Sequence, residues 1–284
     1  MSSHFNRDRP LWWQWLTVLS LDAPLVAVLW QALFARVVEV GLPWHDPVLL
    51  GMAVWIVYAA DRWVEGLRLS PDVVQTPRHL FYIRYRWPVF WTGVAVIAAT
   101  TFIALMRLDV REFKASLVLL IPTLLYLFSH QLLHRHHPLR LPKEICIAVI
   151  FALGCALAPA VLASHRISEL YLPALFFGVL CLANCALISV WEKEVDALHG
   201  QSSLALQLGR LSWLIRLMPW AIFIPAVIAL LTGGVVPRPV AGCSAASALL
   251  MGILDLLEPR IGRIPCRAAV DITLMSPAVV LLVF

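Results

Sequence analysis

The sequence predicts an all-α fold, a polytopic membrane bundle of nine transmembrane helices, and three observations carry that prediction. Of the 284 residues, 61% are hydrophobic and only 14% charged, whereas soluble domains carry about 25% charged residues. A water-soluble globule is excluded, and so is disorder, because this much apolar surface cannot stay solvated. The mean hydropathy of +0.83 is concentrated in long continuous runs, not in the short alternating segments of an outer-membrane barrel. Finally, Lys and Arg are dense in alternate inter-span loops and sparse in the others.

A helix crosses about 30 Å of hydrocarbon with roughly 20 residues. Runs of that kind place spans at about 11–37, 47–64, 87–106, 115–133, 145–164, 170–191, 213–236, 239–257 and 268–284. The first holds a single charge, Asp22, between residues 11 and 35. The third, fifth and sixth hold none, and the seventh is uncharged from residue 217 onward. The second, fourth, eighth and ninth are shorter or interrupted. Pro122, Pro159, Pro173, Pro219, Pro225 and Pro277 fall inside spans or at their ends, where neighbouring helices accommodate kinks. No linker-like segment divides the chain, so residues 1–284 read as one integral membrane domain. The first run is too long for the apolar core of a signal peptide, and no cleavage is expected.

The N-terminus and the even-numbered loops hold 16 Lys and Arg, the opposite side 6. By the positive-inside rule the N-terminus is cytoplasmic and the C-terminus external, as in a bacterial inner membrane. None of the six cysteines has the paired spacing of a zinc site; they read as small buried thiols.

The acids are more informative. The second span ends in Asp61-Arg62-Trp63-Val64-Glu65 and the sixth in Glu192-Lys193-Glu194-Val195-Asp196. In each, two carboxylates stand four residues apart and share one helical face. Like charges at that spacing repel unless a cation lies between them, and oxygen clusters of this kind suit Mg²⁺ together with substrate phosphates. Both pairs fall on the cytoplasmic side, where they can face one cavity. Read as ordinary interfacial charges, they would instead pair with Arg62 and Lys193.

The second pair continues as Gly200-x-x-Ser203-Leu204-Ala205-x-x-Leu208-Gly209-Arg210. With that continuation it resembles the second acidic motif of the UbiA superfamily of intramembrane prenyltransferases. The family's first motif is Asn-Asp-x-x-Asp-Arg-x-x-Asp. Here Asp61, Arg62 and Glu65 match its second half, while Val57 and Tyr58 replace the leading Asn and Asp. The resemblance implies a nine-helix UbiA-type bundle covering the whole chain. It also implies an isoprenyl diphosphate bound through Mg²⁺ that Asp61, Glu65, Glu192 and Asp196 hold. Departure of the diphosphate would leave an allylic cation, captured by a lipophilic acceptor in a dry tunnel.

Further candidates for substrate binding follow. Arg78 and Arg84 lie in an aromatic-rich loop that could clamp a diphosphate or rest as an amphipathic helix on anionic lipid. Tyr126 and His130 stand near where the family has Tyr and Lys beside the phosphate, and Lys143 could serve the same end. Arg62 and Lys193 accompany the acids. Asn184, two turns before Glu192, could line the cavity or bond a neighbouring helix. Asp22 costs at least ~2.5 kcal/mol at mid-bilayer, so it faces the bundle interior, to orient an acceptor, take a proton, or cap the segment restarting at Pro24. Asp271 has Arg267 one turn earlier and reads as half of an ion pair. The expected partners are membrane lipid, a prenyl diphosphate and a lipophilic acceptor, with no nucleic acid. Two alternatives stay open. The departures at Val57 and Tyr58 admit a non-catalytic relative that binds an isoprenoid or quinone-like lipid, and Asp22 admits an ion-coupled transporter.

Overall fold

A computed structural model describes residues 14–68, 77–129, 142–198 and 203–283. Among these there are helices and no strands. The α-helices in order are α1 (Trp15–Val18), α2 (Asp22–Val37), α3 (His45–Arg68), α4 (Pro77–Arg84), α5 (Arg86–Arg107), α6 (Val110–Phe128), α7 (Lys143–Leu162), α8 (Tyr171–Trp191), α9 (Lys193–Leu198), α10 (Leu204–Leu208), α11 (Met218–Thr232), α12 (Arg238–Ile261), α13 (Arg263–Thr273) and α14 (Pro277–Val283). Two 3₁₀ segments, Ser164–Leu170 and Gly209–Leu217, lead into α8 and α11.

Six helical stretches are long and apolar enough to cross a membrane: His45–Leu67, Arg86–Arg107, Lys143–Leu162, Ser164–Trp191, Leu204–Thr232 and Arg238–Ile261. The chain is therefore an all-helical, multi-pass integral membrane protein. The other three predicted spans take shorter, more charged or broken forms. The first is divided at Ser20, whose φ of 58° lies in the left-handed region that residues with a Cβ seldom adopt; only the 16 residues of α2 follow it. α6 carries Arg111, Glu112 and Lys114 in its first turns. The last is split into α13 and α14 around Leu274–Ser276.

Both breaks are secured by neighbours, as backbone freed inside a bilayer must be. Ser20 Oγ pairs with Tyr82 Oη at 2.7 Å and with the Arg62 guanidinium, which also donates to the Thr17 carbonyl at 3.0 Å. At the second break Trp30 Nε1 donates to the Leu274 carbonyl at 2.8 Å, Ser247 Oγ to the Thr273 carbonyl at 2.7 Å, and Ser276 Oγ to the Cys243 carbonyl at 3.1 Å.

α8 is the central helix, packed against α7, α11, α12 and α13, while α3 lies between α2 and α5. Lipid tails are as apolar as Leu, so association rests on close packing rather than on hydrophobic transfer. The buried set accordingly contains Ala27, Ala152, Ala183, Ala186, Ala241 and Ala248. Around them Trp30 stacks on Phe177 at 4.3 Å, with Phe34 and Phe151 against the same ring. α5 buries no residue and turns Trp91, Phe102 and Leu105 outward, as a lipid-facing helix should.

The α11–α12 seam is the tightest approach. A Cβ built on Gly252 would meet the Trp220 ring at 2.7 Å. Gly252→Ala is expected to destabilise by about 1–3 kcal/mol through overpacking, although Ala is ordinarily the better helix former. Gly93→Ala, where a Cβ meets nothing within 4 Å, should gain about 0.5–1 kcal/mol. Thermal melting of both variants in detergent checks the opposite signs.

Candidate active site

The acids stand at three helix ends. α3 brings Tyr58, Asp61 and Glu65 along one face, α8 ends at Trp191 with Glu192 as its C-cap, and α9 carries Asp196. Asp196 is 8% exposed. Lys143, at the start of α7, interacts electrostatically with Asp196, Glu65, Glu144 and Asp61. Tyr126, near the end of α6, is coupled to Asp61 and Glu65 and to Tyr58. Asp61, Glu65, Asp196, Lys143 and Tyr126 are thus electrostatic neighbours.

A deeper tier lies behind them. Arg267 on α13 interacts with Asp271, Glu192 and Asp22, and its guanidinium is paired directly with the Asp271 carboxylate. Asp22 is 2% exposed and points inward. Its Oδ1 accepts from the Ala23 N–H at 3.0 Å, and its carboxyl lies beside that of Asp271. Asp22 and Asp271 line a cavity of about 30 Å³ together with Tyr58, Phe151, Cys181 and Asn184. That is room for roughly two water-sized groups, enough for the polar tip of a larger molecule. Asn184 does both things expected of it, lining this cavity and donating to the Val270 carbonyl at 3.1 Å.

The remaining candidates fall around this centre. Arg62 is buried against the α1–α2 break, with its guanidinium 5.7 Å from the Tyr58 ring centre. Lys193 donates to the Gly209 carbonyl at 2.9 Å and to Ser212 Oγ at 3.3 Å, tying α9 to the following 3₁₀ segment. Arg84 lies exposed over the Tyr85 ring at 5.8 Å. The helix that carries it is anchored by the buried Tyr82 and by Phe81 against Trp15. The Arg78 side chain and His130 lie outside the described residues, as does Gly200.

The motif after Asp196 also has a local reason. Glu144 Oε1 accepts the Leu204 N–H at 3.0 Å, and Ser189 Oγ accepts the Ala205 N–H at 3.3 Å. Those two bonds satisfy the first turn of α10, whose N–H groups have no intrahelical partner. Gly209 ends α10 at φ 55°, ψ −110°, a conformation that essentially only glycine takes without strain. Glu144 was not anticipated from the sequence, where it follows the more conspicuous Lys143; an acid next to a Lys at a span entrance is the signal that could have found it.

The donor set fits a hard cation. Asp61, Glu65, Glu192 and Asp196 carry four negative charges against the single positive charge of Lys143, a balance of −3 before Glu144 is counted. Among the described residues these carboxylates do not bring three ligand atoms within 4.8 Å of one another. That is not an all-protein cage; carboxylates in this number suit metal ions shared with a bound diphosphate.

No family model matches the chain, and no curated protein matches it. Among solved structures it is similar to the apo structure of a UbiA homolog from Aeropyrum pernix K1, at 16% sequence identity and a TM-score of 0.62. The match covers 92% of this chain and 98% of that one. The chain therefore has the fold of that UbiA homolog over nearly its whole length.

Proposed function

We propose that the chain is a UbiA-type intramembrane prenyltransferase of nine crossings, which moves an isoprenyl group from a prenyl diphosphate to a lipophilic acceptor. The observation that carries the reading is the approach of Asp61 and Glu65 from one acidic motif and Asp196 from the other to Lys143, in a protein with the fold of a UbiA homolog. The asymmetry of Lys and Arg puts those pairs on the cytoplasmic side, with the C-terminus external.

Asp61, Glu65, Glu192 and Asp196 would hold Mg²⁺, which would supply the positive charge that makes diphosphate a competent leaving group. Lys143 and the Tyr126 hydroxyl donate to phosphate oxygens. The allylic carbon–oxygen bond breaks with its electron pair leaving on the diphosphate. Phe151 and the Tyr58 ring keep water from the cation. The acceptor's hydroxyl or carbon nucleophile forms the new bond to the allylic carbon, and its proton passes to Asp22 Oδ2. Asn184, fixed through its amide nitrogen on Val270, keeps a carbonyl oxygen to orient the acceptor's polar end. Arg62 and Lys193 act as positioning residues, one holding the α1–α2 break and the other the segment after α9.

A second reading, binding of an isoprenoid without chemistry, is favoured by one observation: Tyr58 occupies the place of a motif carboxylate and lines the inner cavity. One experiment separates the two. Detergent-purified protein is incubated with prenyl diphosphates of graded length, with and without Mg²⁺, alongside mass spectrometry of its co-purified lipids. Mg²⁺-dependent binding with release of pyrophosphate is expected. Binding without turnover in the presence of the co-purified lipid fraction supports the second reading. No binding under either condition rejects both.

A further inference from the structure

On the bilayer face opposite the acidic pairs, three side chains meet that the transfer reaction does not use. They are His45 and Asp46, which open α3, and Glu112, in the first turn of α6. Each offers one ligand atom, and the three atoms lie within 4.8 Å of one another. Asp46 and Glu65 are 19 residues apart on the same helix, so about 28 Å of helix separates this cluster from the acidic pairs.

Two carboxylates are buried here together, Asp46 at 4% and Glu112 at 6% exposure. Burying like charges side by side is costly unless a proton or a cation neutralises them. The helix N-termini relieve part of that cost. A capping box accounts for one oxygen of Glu112, because Oε2 accepts the Asp109 N–H at 3.0 Å while Asp109 Oδ1 accepts the Glu112 N–H at 2.8 Å. That bond also fixes the direction of the Glu112 carboxylate. Asp46 has no such account: its Oδ2 is buried without any hydrogen-bond partner, and its Oδ1 stands 3.8 Å from His45 Nε2. Trp44 packs edge-on against the imidazole, with the Arg107 guanidinium 5.7 Å from the indole ring centre.

We propose that His45, Asp46 and Glu112 bind a divalent transition-metal ion, Zn²⁺ by donor preference, which ties the start of α3 to the start of α6. One imidazole nitrogen with two carboxylates and a water completes a four-coordinate zinc shell. Ligand bonds near 2.0 Å put tetrahedral neighbours roughly 3.3 Å apart, so rotation of these side chains closes the observed separations. An imidazole ligand disfavours Ca²⁺ and Mg²⁺, which take oxygen. The role is structural: the described contacts join α6 mainly to α7, and the ion supplies a direct tie from α6 to α3.

The test uses full-length protein purified through a tag without histidines. It is equilibrated with Zn²⁺ in excess Mg²⁺, so that the acidic pairs are occupied, and bound zinc is measured per chain. About one zinc per chain is expected. His45→Ala should weaken its binding at least tenfold, whereas Asp196→Ala, in the other site, should not. EDTA should lower the melting temperature of the wild type and leave that of His45→Ala unchanged. Equal zinc content in wild type and His45→Ala overturns the proposal, as does a wild-type melting temperature indifferent to EDTA. Asp46→Asn serves as a shape-preserving control. If it raises the melting temperature while the wild type binds no zinc, the carboxylates share a proton and the metal site is rejected. Ca²⁺ occupancy equal to that of Zn²⁺ rejects the transition-metal assignment.

Discussion

Asp196→Ala is expected to lower prenyl transfer by about 10²–10³-fold in kcat/KM, the cost of one preorganised charge-stabilising group in a dry site, and to leave the bundle folded. Asp196 is buried beside Lys143, facing the pair on α3. Its loss opens the metal-binding wall that α9 contributes, while Lys143 keeps Glu65, Glu144 and Asp61 around it. The ammonium is therefore not stranded, and the stability change should stay within the ordinary range for single substitutions. Glu194 is the internal control. It belongs to the same acid-rich stretch, but it is exposed and pairs with Arg263 at 3.7 Å, a surface contact worth at most about 1 kcal/mol. Glu194→Ala should change neither activity nor melting temperature appreciably. If Glu194→Ala proves as damaging as Asp196→Ala, the assignment of the inward face of α9 fails. Comparing Asp61→Ala with the Asp61→Ala/Asp196→Ala pair adds a second check. Carboxylates that act on one diphosphate give non-additive losses, so the double variant should be little worse than either single one.

The acidic pairs were legible in the sequence because everything that places them is local. Four-residue spacing puts Asp61 with Glu65, and Glu192 with Asp196, on one face each. The alternation of Lys and Arg then predicts one side of the bilayer for both pairs. What the sequence withholds is pairing between distant segments. Asp22 and Asp271 read as separate oddities of the first and last spans, yet they line one cavity. Glu144 reads as loop, yet it accepts the backbone of Leu204, sixty residues on. His45, Asp46 and Glu112 read as scattered loop charges because two helix starts must meet before they do. The span count strained for a related reason. Hydropathy registers apolar length but not where a helix stops. Ser20 and the Leu274–Ser276 segment interrupt apolar runs, with partners from Arg62, Tyr82, Trp30 and Ser247 that no window along the chain can contain.

The inner tier gives the largest expected effect on stability, with opposite signs for its two acids. Asp271 is the direct partner of Arg267, both being largely enclosed. Asp271→Asn leaves a guanidinium without its carboxylate, which typically costs ~3–5 kcal/mol when a buried pair is broken from one side. Asp22 has no such obligation. Its carboxyl lies against that of Asp271, and relief of that like-charge contact outweighs the loss of its share of Arg267, so Asp22→Asn should gain about 1–3 kcal/mol. A residue retained at a cost to stability is expected where it serves the reaction. Asp22→Asn should correspondingly reduce kcat toward a hydroxyl-bearing acceptor while leaving the KM for prenyl diphosphate unchanged, since the diphosphate wall is untouched. The two acids are also coupled, because Arg267 interacts with Asp22 as well as Asp271. In Asp271→Asn the Asp22 carboxylate is the next available counter-charge. Removing both should therefore destabilise by at least ~1 kcal/mol beyond the sum of the single changes, whereas two independent sites would simply add. Melting curves of the two single variants and the double variant, in one detergent at one pH, measure that term. Additivity within ~0.5 kcal/mol would show that Asp22 and Asp271 do not share Arg267, and would remove the basis for treating the inner cavity as one electrostatic unit.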